Sequence, residues 1–222
     1  FQTNATITGL VGGGSGANLA LAGGTLTANL SANSSYGDVI SGAGALNKTG
    51  AGTLTLSGNN SFAGGSTLAA GTLKINHTNA LGTGSLSQSS ASSLLEIAAA
   101  GTVTNDMSVY NIIYTAGSTL SGDLTLNNTT FDVTNGVTST NTGVLSGVGG
   151  VTKIGAGTLI LAGSANNTYE GATIISNGGL VLSNSSGNAI HASSSITVDG
   201  ASSQLVLGAS NQIGDSIGLE LD

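Results

Sequence analysis

Residues 41–54 read SGAGALNKTGAGTL, and 105 residues later the chain reads SGVGGVTKIGAGTL, with nine of the fourteen positions identical. The likeness does not stop there. SFAGGSTLAAGTLKI at 61–75 parallels TYEGATIISNGGLVL at 168–182, and 79–98 runs loosely parallel to 188–208. The chain therefore holds about two copies of a unit of roughly 105–110 residues, with motif copies near 41–75 and 146–182. A fixed period points to stacked units, each of which cannot bury its apolar face alone.

A shorter beat runs inside each unit. Leu54 to Leu73 is 19 residues, Leu73 to Leu95 is 22, Leu159 to Leu180 is 21 and Leu180 to Leu205 is 25. Around these leucines the residues alternate apolar and polar, as in Thr53-Leu54-Thr55-Leu56 and Gln204-Leu205-Val206-Leu207. Alternation of period two marks half-buried strands. Helical spacing of apolar residues is missing. Leucine-rich repeats share the period but need a fixed Leu/Asn pattern that is absent. These patterns predict an all-β chain folded as a right-handed parallel β-helix, with 20–25 residues per coil and about ten coils, running as a single segment over residues 1–222. The ends carry no capping helix or charge cluster, and the chain opens FQTNATITG without Met. The missing Met predicts a piece of a longer chain, and the bare ends predict either such a piece or a segment that stacks end to end.

Coil stacking explains the alphabet. Neighbouring strands lie about 4.8 Å apart, so like side chains stand on one another. Stacked Leu, Ile and Val fill the interior. Stacked Ser, Thr and Asn hydrogen-bond along the outside. Stacked like charges repel, and charged residues are only 6% of the chain. Gly, 37 of 222 residues, serves the bends. The net charge of −7, with three Lys and no Arg, argues against nucleic acid and against an anionic membrane surface. No apolar run is long enough for a spanning helix, so direct membrane insertion of this segment is not expected. Without Cys there are no disulfides or thiolate metal sites. A Cys-free chain rich in Ser, Thr and Asn fits a bacterial surface or secreted protein.

The stretch GALNKTGAGTLTLSGNNSFAGGSTLAAGTLKI, residues 44–75, resembles the passenger-associated repeat of bacterial autotransporters. Lys48, Thr49, Gly50, Gly52, Thr53, Leu54, Leu56 and Gly58 fill the first part of that motif. Asn60, Phe62, Gly64, Thr67, Gly71 and Leu73 fill the rest, with Phe62 where Tyr is usual. The second copy offers Lys153, Gly155, Gly157, Leu159, Leu161 and Gly163, then Asn167, Tyr169, Gly171, Thr173, Gly178 and Leu180, with Ile154 in place of Thr. The segment 211–221 also resembles what often trails the repeat. The resemblance implies a β-helical passenger displayed on, or released from, a Gram-negative outer membrane. It implies an outer-membrane β-barrel translocator elsewhere in the full chain, and a stalk or folding role for the repeat residues themselves. Passengers of this kind serve as adhesins, self-associating proteins, toxins or proteases.

Motifs that carry chemistry are weak. Gly214-Asp215-Ser216 is followed by Ile217 and lacks a triad context for His77 or His191. Lys48-Thr49-Gly50 matches a β-lactamase motif, but no Ser stands three residues before any lysine. Lys48 and Lys153 are expected to open equivalent strands with their amines solvated. The glycines at 12–16 lack the lysine of a phosphate loop. A polysaccharide-cleaving β-helix would need converging carboxylates. Its candidates, Glu96, Asp106, Asp123, Asp132, Glu170 and Asp199, are spread about one per coil. Tyr110-Asn111-Ile112-Ile113-Tyr114 reads either as a strand with Tyr outside and Ile inside or as a sticky surface patch, and 105–118 departs from the repeat. The expectation is a non-catalytic adhesive rod with no cofactor and no metal, which self-associates or binds host and cell-surface ligands. The alternatives are an extracellular filament joined end to end by strand pairing, and a polysaccharide enzyme.

Overall fold

The computed structural model describes residues 3–12, 16, 18–191, 195–214 and 218–221. Residues 215–217, where the Gly-Asp-Ser motif falls, and most of the glycine run at 12–16 lie outside them. The described residues form short strands and no helix, and every strand pair is parallel. About nine coils stack into a β-solenoid, one fewer than the spacing predicts. No described helix is long and apolar enough to cross a membrane.

The leucine beat is the coil register. Leu54 pairs with Leu73, Leu73 with Leu95, Leu159 with Leu180 and Leu180 with Leu205. All but the last of these strands alternate buried and half-buried, because successive residues of a strand point to opposite faces. The inward residues make one continuous core, from Leu21 and Leu26 through Leu54, Leu95, Leu120 and Phe131 to Leu180 and Ile196. Burying a leucine contributes about 2 kcal/mol, and neighbouring coils share each contact.

The strands stand in three main columns. One runs through Thr25–Asn29, Ala45–Thr49, Ser66–Leu68, Leu86–Gln88 and Met107–Tyr114. A second climbs from Thr53–Leu56 through Leu94–Ile97 to Val151–Ile154 and Thr173–Ile175. The third begins at Gly101–Val103 and climbs through Thr158–Leu161 to Ser203–Leu207. The two sequence repeats enter different columns. The strand holding Lys48 stands in the first, and the strand holding Lys153 stands in the second, over Leu54, Leu73, Leu95, Ile112 and Phe131 in turn. Five coils on, the repeat has moved round by one face.

The middle of the rod is its least regular part. Met107 pairs with Leu124 and Gly101 with Ser118, so the coil closes in 17 residues, against 20 for Leu46 and Ser66 and 23 for Ile196 and Leu219. The ladder slips between Val109 and Asn111, and Asn128 turns with φ 59° without being glycine. The expected departure at 105–118 is this short coil.

Candidate functional site: the repeat interior and its outer columns

Strand parity places the first surprise. In Ala45–Thr49 the side chains of Leu46 and Lys48 point inward together, and in Val151–Ile154 Val151 and Lys153 do the same. Both lysines are fully buried. The expectation of solvated amines is therefore wrong for both. Lys48 sits between Ala28 and Leu68, and Lys153 between Phe131 and Ile175.

The amines are satisfied by backbone. Lys48 Nζ donates to the carbonyls of Thr49 at 2.9 Å, Gly50 at 2.8 Å and Ala70 at 3.0 Å. Lys153 Nζ donates to Ile154 at 2.7 Å, Gly155 at 2.7 Å and Asn177 at 3.1 Å. An ammonium has three protons, and each cage offers three acceptors. Two acceptors come from the lysine's own turn and the third from the next coil, so the amine bolts adjacent coils together. The turn that supplies them needs glycine. Gly50 and Gly155 both take φ 75°, and a Cβ there would strike the carbonyl oxygens of Leu30 and Val133. Burial pulls the Lys48 amine below its usual pKa. Burial likewise pulls Lys153 down to about 8, while the negative charge of Asp132 pushes it back up.

An asparagine does similar work across the coil. Asn60 Oδ1 accepts from Ile40 N at 2.8 Å, and its Nδ2 donates to Ala80 O at 2.6 Å. Asn167 accepts from Leu145 N at 2.8 Å and donates to Ala189 O at 2.7 Å. Each joins the coil before it to the coil after it. Sequence reasoning missed this inner role by placing asparagine outside. The signal was present, since the same residue stands two positions before the aromatic in both copies.

The aromatic position separates the copies. Phe62 and Tyr169 are both fully buried. Tyr169 Oη is 2.7 Å from Thr173 Oγ1. Four residues after Phe62 stands Ser66, whose buried Oγ has no partner. Phe62 lacks the hydroxyl that would meet it.

Leu54, Leu56, Leu73, Leu159, Leu161 and Leu180 are core. Gly52, Gly58, Gly157, Gly163 and Gly178 are buried, Gly71 and Gly171 are half-buried, and Gly64 is exposed. A Cβ on Gly64 or Gly171 would nonetheless meet the backbone of the coil below.

The carboxylates are mostly used or isolated. Asp106 Oδ1 accepts from Asp123 N at 2.8 Å, and Asp123 Oδ1 from Val144 N at 2.8 Å, so this pair also ties coils. The two line one shallow polar hollow with Ser85, Ser87 and Ser108. Glu96 holds Lys74 at 2.6 Å. Asp132 lies two coils above Glu96 in the same outer column, and Glu170 and Asp199 are exposed elsewhere. Among the described residues no three His, Cys, Asp or Glu side chains gather as a metal site would require. The Tyr110–Tyr114 stretch divides otherwise than expected, because Tyr114 points in and Ile113 out. Tyr114 Oη donates to Asn141 Oδ1 at 2.9 Å, and burial raises its pKa despite that bond.

The passenger-associated-transport-repeat family matches at residues 46–75 and 151–182, the two stretches that hold the lysine cages. The chain is similar to the adhesin BmaC autotransporter of Brucella suis biovar 1 (strain 1330), with 36% identity over 148 residues, covering 65% of this chain and 4% of that protein. It thus spans a small fraction of the length of the curated relative it matches. No solved structure matches the chain.

Proposed function

We propose that this chain is a segment of an autotransporter passenger that carries no catalytic centre and presents an adhesive rod on a Gram-negative cell surface. Its two passenger-associated-transport-repeats, and its likeness to part of an autotransporter adhesin, support that placement. In the full-length protein an outer-membrane β-barrel would export and anchor it.

One observation carries the reading. The distinctive residues of both repeats, Lys48 with Asn60 and Lys153 with Asn167, are spent on joining coils. The repeats therefore build length and stiffness, and recognition is left to the outer columns of Ser, Thr, Asn and scattered acids. Those columns have no spare cation. Two of the three lysines are sealed inside and the third is paired with Glu96. A surface of this kind suits protein partners over nucleic acid, whose phosphates need exposed Lys and Arg.

The test displays the chain on the translocator of a non-adherent bacterium and counts cells retained on a host-cell monolayer. Retention several-fold above cells bearing the translocator alone is expected. Retention equal to that control refutes adhesion. Turnover of a polysaccharide panel by the purified chain refutes the non-catalytic part.

A further inference from the structure

We propose that the outer groove around Asp132 is a docking site for a lysine or arginine side chain of a partner protein. This deepens the adhesive reading above and rests on it.

The groove lies where the coil pattern breaks. The slip between Val109 and Asn111 re-aims the side chains that follow, as bulges do. Beyond it the outer column runs Lys74, Glu96, Ile113, Asp132 and Ile154, one residue per coil. Leu94, Ile113 and Ile154 line a concavity of about 250 Å³, with Asp132, Asn111 and Thr130 among its polar walls. All three aliphatic side chains are half-buried on the outer side of their strands.

Asp132 is the open member: its half-buried carboxylate, among the described residues, accepts no hydrogen bond and forms no salt bridge. The nearest cation is Lys153, whose three donors are already spent on carbonyls. Lys74 is held by Glu96, and the chain has no arginine. Any cation in direct contact with Asp132, beyond the field of the caged Lys153, would therefore come from another molecule. The same column shows how one is seated, since Lys74 reaches one coil along it to meet Glu96 at 2.6 Å. A basic side chain lying along the column would cover Ile113 or Ile154, which flank Asp132, with its methylenes and set its head on Asp132. An anionic ligand would meet Asp132 and Glu96 together and be repelled.

The test uses the isotopically labelled whole chain titrated with hexalysine, hexaarginine and hexaglutamate peptides, read by amide chemical shifts. Shifts confined to residues near 94, 111–113, 130–132 and 154 are expected with the two basic peptides, and none with hexaglutamate. Comparing the two separates ammonium from guanidinium as the preferred head. Asp132→Asn should weaken binding at least tenfold and Ile113→Ser several-fold. Asp199→Asn, an exposed acid elsewhere, should change it less than twofold. Equal loss for Asp132→Asn and Asp199→Asn, or shifts spread over every acid, overturns the proposal. Adhesion of displaying cells is scored in parallel. Cells that still adhere with Asp132→Asn, after peptide binding is lost, show adhesion to be real and the groove not to be its site. Native cells that fail to adhere refute the adhesive reading instead, and the peptide shifts then decide the groove alone.

Discussion

The two repeats have nearly the same sequence plan and differ in how completely they satisfy it. In residues 46–75 three buried polar atoms lack partners: Asn47 Oδ1, Thr49 Oγ1 and Ser66 Oγ. The equivalent residues of the second copy are Thr152, Ile154 and Thr173, and none leaves such an atom. Thr173 meets Tyr169, and Ile154 has no hydroxyl to satisfy. An unpaired buried polar atom costs about 1–3 kcal/mol. The lysine cage and the asparagine staple, by contrast, are closed in both copies. What is shared is the joining of coils, and what varies is the polish around it.

The largest test of that comparison removes the bolts. Lys48→Ala and Lys153→Ala each delete three charge-assisted bonds to carbonyls, and each should cost about 3 kcal/mol or more in denaturant unfolding. Similar costs at the two sites are expected, because the cages match although they stand in different columns. A cost below about 1 kcal/mol at either would mean that water replaces the amine freely. Asn60→Ala and Asn167→Ala lose two inter-coil bonds apiece, and a drop of about 2 kcal/mol is expected from the same measurement.

The aromatic position sharpens the contrast. Phe62→Tyr gives Ser66 a partner and should stabilise by about 1 kcal/mol, while Tyr169→Phe should destabilise by a similar amount. The gain should vanish in the Phe62→Tyr, Ser66→Ala pair, and a gain that survives there would assign the effect to packing. The smallest effect is on pH. Burial lowers both amines in the folded chain, Lys153 to about 8, so the unfolded chain holds more protons above that pH and stability rises from there towards about pH 10. The rise should be no more than about 1 kcal/mol, since three carbonyls favour the charged amine. Past pH 10 the sign reverses. Burial raises the phenol pKa of Tyr114 and Tyr169, so only the unfolded chain ionises them and stability falls. A flat melting profile from pH 8 to 10 would show the cages, not burial, setting the lysine titration.

The coil register was readable from leucines alone, because a parallel ladder sets like on like and so prints its period in the chain. Lys48 was misread for an identifiable reason. Its parity with Leu46 pointed inward, but lysine is almost never fully buried and the usual preference outweighed the alternation. The change of column between the repeats was hidden altogether. A spacing of 105 residues says nothing of which face it ends on, and that is decided by details such as the 17-residue coil at Met107. The groove at Asp132 was half legible. Tyr110–Tyr114 stood out as unusual, but the slip at Val109 that turns Ile113 outward leaves no mark in composition.

Because the second repeat sits one face round from the first, advancing the rod by one repeat does not lay it on itself without also twisting it. Two such rods placed flank to flank would match at one repeat and face unlike neighbours at the next. Only partners that wind about each other could keep the match, so flat lateral crystals of this protein are disfavoured by its own geometry.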